Sequence, residues 1–219
     1  MFKKIVSYVY PMNVMKQNSA FSKNLEVTWT NGYLVLDSRN TNYSYGSLQR
    51  ILKIGLKNIG FEKIKKMNHI LVLGVAGGSV IKTLVEEIQV SAKITGVEID
   101  KEVIEIANLY FNLNKIPNLE IVIEDAFEFT LKTKTKYDLI IVDVFCDTHM
   151  PNFLFEDFFR ERICFLLQPK GNILFNTMCL NEIQNQRNIK YVEQIPKDYF
   201  VKTIPRVEQH NELIIIEKK

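Results

Sequence analysis

Cysteine is scarce in this 219-residue chain, and the three present, Cys146, Cys164 and Cys179, form no CxxC pair and stand beside no histidine cluster. That counts against a disulfide framework and a zinc site, and reduced, buried thiols are expected. The three histidines, His69, His149 and His210, have no metal-ligating spacing, and only His149 falls near the chemistry described below. Nine glycines and six prolines are too few for a collagenous or low-complexity chain. Long hydrophobic runs are missing too: Leu139–Cys146 is interrupted by Asp143 and falls far short of the roughly 20 residues a membrane span needs. Met1–Tyr10 carries two lysines on a broken apolar stretch, so no targeting peptide is visible. Neither charge dominates, with 28 Lys and Arg against 25 Asp and Glu, and basic pairs such as Lys65-Lys66 and Lys218-Lys219 are scattered. A net charge of +3 spread in this way leaves no footprint for nucleic acid. The expectation is a soluble, cytoplasmic protein with neither a nucleic-acid nor a membrane partner.

What is present is a regular alternation. Leu25–Thr30 and Tyr33–Leu36 are β-prone runs joined by Asn31-Gly32, a strong two-residue hairpin signal. Leu48, Ile51, Leu52 and Ile59 then recur at helical spacing, and Gly60 stands where a helix over Ser47–Ile59 would stop. Strand runs follow at His69–Leu73, Lys93–Val97, Leu119–Ile123, Tyr137–Val142 and Asn172–Phe175. Helical stretches lie between them at Ser79–Gln89, Lys101–Leu113, Ala126–Leu131 and Asn152–Leu167. Such units call for a parallel sheet covered on both faces. Tyr199–Ile204 and Glu212–Glu217 end the chain as an antiparallel hairpin. The organisation expected is a small β segment over residues 1–46 and a main domain over 47–219, with the Ser47–Ile59 helix as the bridge.

Candidate site residues fall at the carboxyl ends of the predicted strands, where open α/β sheets bind ligands. Leu73-Gly74-Val75-Ala76-Gly77-Gly78-Ser79 is a Gly-rich turn directly before a helix, reading GxxGG. It suits close approach of a nucleoside to main-chain N–H groups, and equally a merely tight turn. Glu98 ends the second strand, followed by Ile99 and Asp100, and an acid there can accept hydrogen bonds from ribose hydroxyls; one of the two acids can instead cap the next helix. Asp125, before Ala126, is a candidate for the adenine amino group and an equally good N-cap. Asp143 closes the apolar run Leu139–Val142, a costly place for an unpartnered charge, which points to a general base or an electrostatic holder; a cap or a buried pair is the plainer alternative. Tyr43 and Tyr45 suit a lid over this edge, or ordinary core positions.

In order and spacing these segments, with Leu34–Asp37, Tyr43-Ser44-Tyr45, Tyr137–Asp143, Leu154-Phe155 and Phe158-Phe159, resemble the spermidine synthase family, which shares the class I methyltransferase fold. The resemblance implies a Rossmann-like, mostly parallel seven-stranded sheet with a C-terminal antiparallel hairpin. It implies an S-adenosyl nucleoside held by Gly74, Ala76, Gly77, Gly78, Glu98, Ile99, Asp125 and Ala126, with no metal. Asp143 would then be the base for an attacking amine and Tyr45 a wall of the amine channel, and association through the N-terminal β segment would give a homodimer. Three positions depart from the family's pattern: Gly77 stands where an Asp usually holds the aminopropyl ammonium, Cys146 where a second Asp is usual, and Gly46 where a Gln follows the Tyr. Asp147, adjacent to Cys146, is a possible substitute.

An Asp at position 77 would also repel the carboxylate of intact S-adenosylmethionine (SAM). Its loss therefore ranks methyl transfer from SAM to a small acceptor above aminopropyl transfer from decarboxylated SAM to an amine. A degenerate nucleoside-binding module without activity is the third reading. A dinucleotide-dependent oxidoreductase, for which the chain is short, is the fourth.

Overall fold

A computed structural model describes residues 2–22, 24–38, 42–146 and 149–219. After the short helix α1 (Phe2–Val6), β1 (Met12–Gln17), β2 (Leu25–Thr30), β3 (Tyr33–Asp37) and β4 (Asn42–Ser44) form a four-stranded antiparallel sheet in sequence order. The predicted hairpin is its centre: Asn31 (φ 49°) and Gly32 (φ 79°) are both left-handed, as a type I′ turn requires. Leu25, Val27 and Leu36 of this sheet are buried against Val103, Ile106 and Phe111 of the main body.

The bridging helix α2 (Gly46–Ile59) ends at Gly60 (φ 107°) as expected, and α3 (Phe61–Ile64) follows. The alternation then runs β5 (His69–Leu73), α4 (Ser79–Lys82, widening into π-helical turns over Thr83–Ile88), β6 (Lys93–Glu98), α5 (Lys101–Phe111), β7 (Leu119–Ile123), α6 (Ala126–Lys132) and β8 (Tyr137–Val142). The predicted helix over Asn152–Leu167 is a 3-10 turn at Asn152–Phe155 and then α7 (Asp157–Leu166). Last come β9 (Leu167–Met178), α8 (Glu182–Glu193), β10 (Tyr199–Val207) and β11 (Asn211–Lys218).

The seven-stranded sheet has the order β10-β11-β9-β8-β5-β6-β7, parallel from β9 to β7 and antiparallel over β11 and β10. Its inner strands β5, β6, β8 and β9 are largely apolar on both sides because both faces are covered, while the edge strands β7 and β10 are partly exposed. Ile70 and Val72 of β5 pack under α2 and α4, while the alternate residues Leu71 and Leu73 pack under α7 and α8. From β5 the chain winds outward to β6 and β7, then returns to β8 and β9 on the other side. This reversal leaves a crevice at the carboxyl ends of β5 and β8, the topological switch point where ligands of such sheets bind.

Two expectations from sequence need correction. Cys164 and Cys179 are buried, but Cys146 is exposed, because it stands after β8 in a segment crossing the mouth of the crevice. His149 pairs its backbone with Cys146 (N···O 2.8 and 3.0 Å) and does not line the crevice, whereas His210 does. No helix among the described residues is long and apolar enough to cross a membrane.

Candidate active site

A cavity of about 450 Å³ occupies the switch point. The ends of β5, β6 and β7 contribute Gly74, Ala76, Glu98, Ile99, Asp125 and Ala126 to one half of it. The ends of β8, β9 and the β10–β11 hairpin contribute Asp143, Asn176, Glu208, His210 and Asn211 to the other, with Ser47, Leu48 and Ile51 from α2. Phe21, Ser22 and Tyr43 of the N-terminal sheet region and Phe145, Cys146 and Phe153 from the segment after β8 also line it, and the Ser22 and Tyr43 hydroxyls lie 2.8 Å apart.

The Gly-rich turn is shaped by its neighbours. Gly74 has φ 85°, and a Cβ there would sit 2.2 Å from the carbonyl oxygen of Asp143, so only glycine lets β5 and β8 come this close before the chains diverge. Gly74→Ala is expected to cost about 2 kcal/mol or more in urea unfolding, since the obstacle is backbone rather than a movable side chain. Gly77 and Gly78 support the turn without lining the cavity, which corrects their expected direct contact. The reason at Gly77 is visible: a Cβ would lie 2.7 Å from Ser44 Cβ and 2.9 Å from Ser44 Oγ. Ser44 is fully buried there, its hydroxyl accepting the Ser79 N–H (3.2 Å) at the start of α4.

Glu98 does more than either sequence reading proposes. Its Oε2 accepts the backbone N–H groups of Val75 and Ala76, each at 3.0 Å, and its Oε1 accepts that of Asp100 at 3.1 Å. It therefore clamps the Gly-rich turn, including Ala76 at φ 47°, to the end of β6. Burial raises its pKa, those three N–H groups oppose the rise, and the nearby Asp100 charge adds to it. Capping falls to Asp100, which accepts from Val103 N (3.3 Å) and receives the Ser19 hydroxyl from the segment between β1 and β2. Asp125 caps α6 through Oδ1, accepting from Phe127 N (2.8 Å) and Glu128 N (3.3 Å), while still lining the cavity beside Ala126. Cap and ligand-facing roles are compatible there because a carboxylate has a second oxygen.

Asp143 is 9% exposed, and its Oδ1 accepts a hydrogen bond from Asn176 Nδ2 at 2.8 Å. Burial pushes its pKa up to about 7, the Asn176 bond opposes that, and the Glu98 charge adds to it. A carboxyl that titrates near neutrality can take a proton from a substrate at working pH.

Tyr45 is not a wall of this cavity. Its ring stacks on Phe111 (4.5 Å, 18°) and its hydroxyl is buried with no hydrogen-bond partner. Tyr43, two residues earlier in β4, lines the cavity in its stead, because Tyr45 follows the strand with a left-handed backbone (φ 69°) and stacks on Phe111. Asp147, the possible substitute acid, lies outside the described residues. Asn176, Glu208, His210 and Asn211 carry no motif. Asn176 nevertheless ends the apolar run Ile173–Phe175 as Asp143 ends its own, and the same argument from burial cost would have found it.

Charge on the lining is one-sided. Glu98, Asp100, Glu124, Asp125, Asp143 and Glu208 face the cavity, and the only basic side chain among the described lining residues is His210. Arg50 of α2 grips Glu208 with two hydrogen bonds (2.7 and 3.2 Å) and is not itself in the lining. Among the described residues no three His, Cys, Asp or Glu side chains gather into a metal-ligating group.

The family model of the spermine/spermidine synthase domain matches residues 50–219, which includes every strand end of the main sheet. The chain belongs to the spermine/spermidine synthase family. A polyamine aminopropyltransferase of Prochlorococcus marinus (strain MIT 9301) is 29% identical over 147 residues, 60% of this chain and 51% of the relative. The eEF1A lysine and N-terminal methyltransferase homolog of Drosophila melanogaster is 28% identical over 163 residues, 67% of this chain and 24% of that protein. The chain thus spans about half the length, or less, of the curated relatives it matches. Among solved structures, spermidine synthase in complex with the transition-state analogue AdoDATO superposes with a TM-score of 0.71 (17% identity, 95% of this chain, 73% of that one). Human methyltransferase-like protein 13 in complex with SAH superposes with 0.67 (19% identity, 80% and 83%). Both share the fold of this family member.

Proposed function

We propose that this chain transfers a group from an S-adenosyl sulfonium nucleoside to an amine, with Asp143 taking the proton that the amine loses. The observation that carries this reading is the acidic lining of the cavity, which suits a sulfonium cation and an ammonium, combined with an Asp143 that titrates near neutrality. When bound, the nucleoside supplies a carbon activated by its sulfonium, where an amine forms C–N as C–S breaks and the electron pair passes to sulfur. Glu98 and Asp125 fit the ribose and the adenine, with the Gly74–Ala76 turn against the nucleoside. Asp143 fits the acceptor side, where ionising above about pH 7 lets it hold an ammonium and take its proton. Most of the acceleration expected of such a site is proximity and orientation.

Aminopropyl transfer is the reading supported best. Most of the closely matching curated relatives carry the name polyamine aminopropyltransferase. In addition, the carboxylate of intact SAM would meet Glu98, Asp100, Asp125 and Asp143 with His210 as the one basic side chain in the described lining, Glu124 and Glu208 being paired with Lys132 and Arg50. Methyl transfer, which Gly77 ranks first from sequence, is retained as the second reading on one observation. Ser44 fills the space where an acid at position 77 would point, so no carboxylate holds an aminopropyl ammonium from that side.

Titration calorimetry with SAM, S-adenosylhomocysteine, decarboxylated SAM and methylthioadenosine separates these readings. Decarboxylated SAM and methylthioadenosine are expected to bind at least tenfold tighter than the SAM pair. The reverse order would overturn aminopropyl transfer in favour of methyl transfer, and binding of none would favour the inactive module.

A further inference from the structure

The hairpin joining β10 to β11 brings one more side chain to the reacting end of the cavity. Asn211 Nδ2 donates to Asn176 Oδ1 at 2.9 Å, and Asn176 Nδ2 donates to Asp143 Oδ1 at 2.8 Å. Asn176 is 0% exposed, so both bonds are shielded from bulk solvent. From this geometry we propose that Asn211 is a positioning residue for Asp143, acting through Asn176. The inference rests on the reading of Asp143 as the proton acceptor.

The physical argument is the asymmetry of a primary amide, which has an accepting end and a donating end. With its oxygen held by Asn211, Asn176 can only turn its NH₂ toward Asp143. Released from Asn211, the amide can rotate by half a turn and set its oxygen against the carboxylate, replacing a charge-assisted hydrogen bond with a repulsion. Asn211 is kept in place at some conformational cost. Arg206, Glu208 and Gln209, just before it, all have left-handed backbones (φ 53°, 48° and 75°) although none is glycine. The turn is tied down by the Cys179 N–H on the His210 carbonyl (2.8 Å), by the pairing of Asn211 with Met178 across β11 and β9, and by the Arg50–Glu208 fork.

Among the described residues, the other groups that set the field at Asp143 are few. Glu98 faces it from β6, and Glu208, neutralised by Arg50, and His210 share its half of the cavity from the hairpin. Asn176 comes from β9, Cys146 from the segment after β8, and the neutral Gly74 turn from β5.

Two readouts test the proposal. The first is the ratio of affinities for decarboxylated SAM and for its neutral thioether methylthioadenosine, titrated between pH 5.5 and 8.5. Ionised Asp143 favours the sulfonium, so the ratio should fall as pH drops through about 7 in the unaltered protein. In Asn211→Leu the midpoint is expected about one pH unit higher, and in Asn211→Asp at least as far, with methylthioadenosine affinity within twofold. Asn176→Leu should move it in the same direction, and the double variant no further than Asn176→Leu alone, because both act on one carboxylate through one path. Unchanged midpoints in both position-211 variants, or additive shifts in the double variant, would overturn the role of Asn211.

The second readout needs no ligand: the pH dependence of urea unfolding, where the loss of stability as Asp143 ionises should move upward in both position-211 variants. If no nucleoside binds but this shift appears, the proposed function fails and the positioning of Asp143 stands. If the profile of Asp143→Asn matches that of the unaltered protein, Asp143 does not titrate in this range and both fail.

Discussion

Asp143→Asn is expected to abolish group transfer and, at the same time, to make the protein more stable at alkaline pH. The activity loss should be about 10³-fold, the scale of a positioned general base, with affinity for the neutral methylthioadenosine little changed because the proposed adenosine contacts lie on β5, β6 and β7, and with the preference for the sulfonium reduced. The stability gain follows from the direction of the Asp143 shift. Its pKa rises from 3.8 in an exposed reference to about 7 in the fold, so between those values the folded protein holds a proton that the unfolded chain has released. The contribution of this group is therefore fully present below about pH 4, and it is lost as pH rises through about 7. The cost of ionising it in the fold is on the order of a few kcal/mol. Asparagine is neutral throughout and its oxygen can still accept from Asn176, so the cost disappears. Urea denaturation between pH 4 and pH 8 checks this: the variant should be close to the unaltered protein at the lower end and exceed it increasingly as pH rises through about 7. A variant no more stable at pH 8 would mean that Asp143 is not ionised against its surroundings.

Glu98→Ala has the second large effect, and the structure changes what that effect should be. From sequence, removing a ribose ligand should weaken nucleoside binding and leave the fold intact. In the structure Glu98 is also the acceptor for Val75, Ala76 and Asp100 N–H groups, so alanine strands three donors in a half-buried turn. At about 1–3 kcal/mol for each donor that water cannot reach, the loss should be on the order of 3 kcal/mol. Adenosine-ligand affinity should fall about 100-fold, partly through lost ribose contacts and partly because the turn no longer holds Ala76 left-handed. Glu98→Gln separates the two: its amide oxygen can serve Val75 and Ala76, so most of the stability should return while affinity stays low. Calorimetric titration together with thermal unfolding of both variants checks this. Full binding by Glu98→Gln would remove Glu98 from the ribose and leave it a structural clamp.

Much of the fold was legible because the main strands are apolar on both sides and bounded by turn residues. His69–Leu73, Leu119–Ile123 and Tyr137–Val142 coincide with β5, β7 and β8 to the residue. The omissions have physical reasons. Helix α8 is polar along its length and buries only Asn188 and Tyr191, so it has no apolar stripe to read. Strands β1 and β4 are short and partly exposed, and β1 is defined by pairing with β2 rather than by its own pattern. Strand β9 was read as starting at Asn172, but it begins at Leu167 and carries Pro169-Lys170-Gly171 as a bulge, its pairing with β8 slipping between Tyr137 and Leu139.

The candidate site divides in the same way. Sequence by itself located the half of the cavity at the ends of β5, β6 and β7, because its residues lie at or just after strand ends, and the order of β/α units already places those ends along one edge. Glu98, Asp125 and Asp143 are legible as acids where an apolar run stops. Only the tertiary structure decided what surrounds Asp143 in the other half. Asn176 and Asn211 are 35 residues apart and meet because β11 pairs antiparallel with β9. Arg50 reaches Glu208 across 158 residues because α2 lies over those same strands. Side-chain direction was also decided there: Tyr43 lines the cavity and Tyr45 does not, because Tyr45 follows β4 with a left-handed backbone that breaks the strand's alternation at the start of α2. Ser44 closes the space at Gly77 because β4 docks against the start of α4. These outcomes depend on pairing register and packing between distant segments, which local residue pattern does not encode.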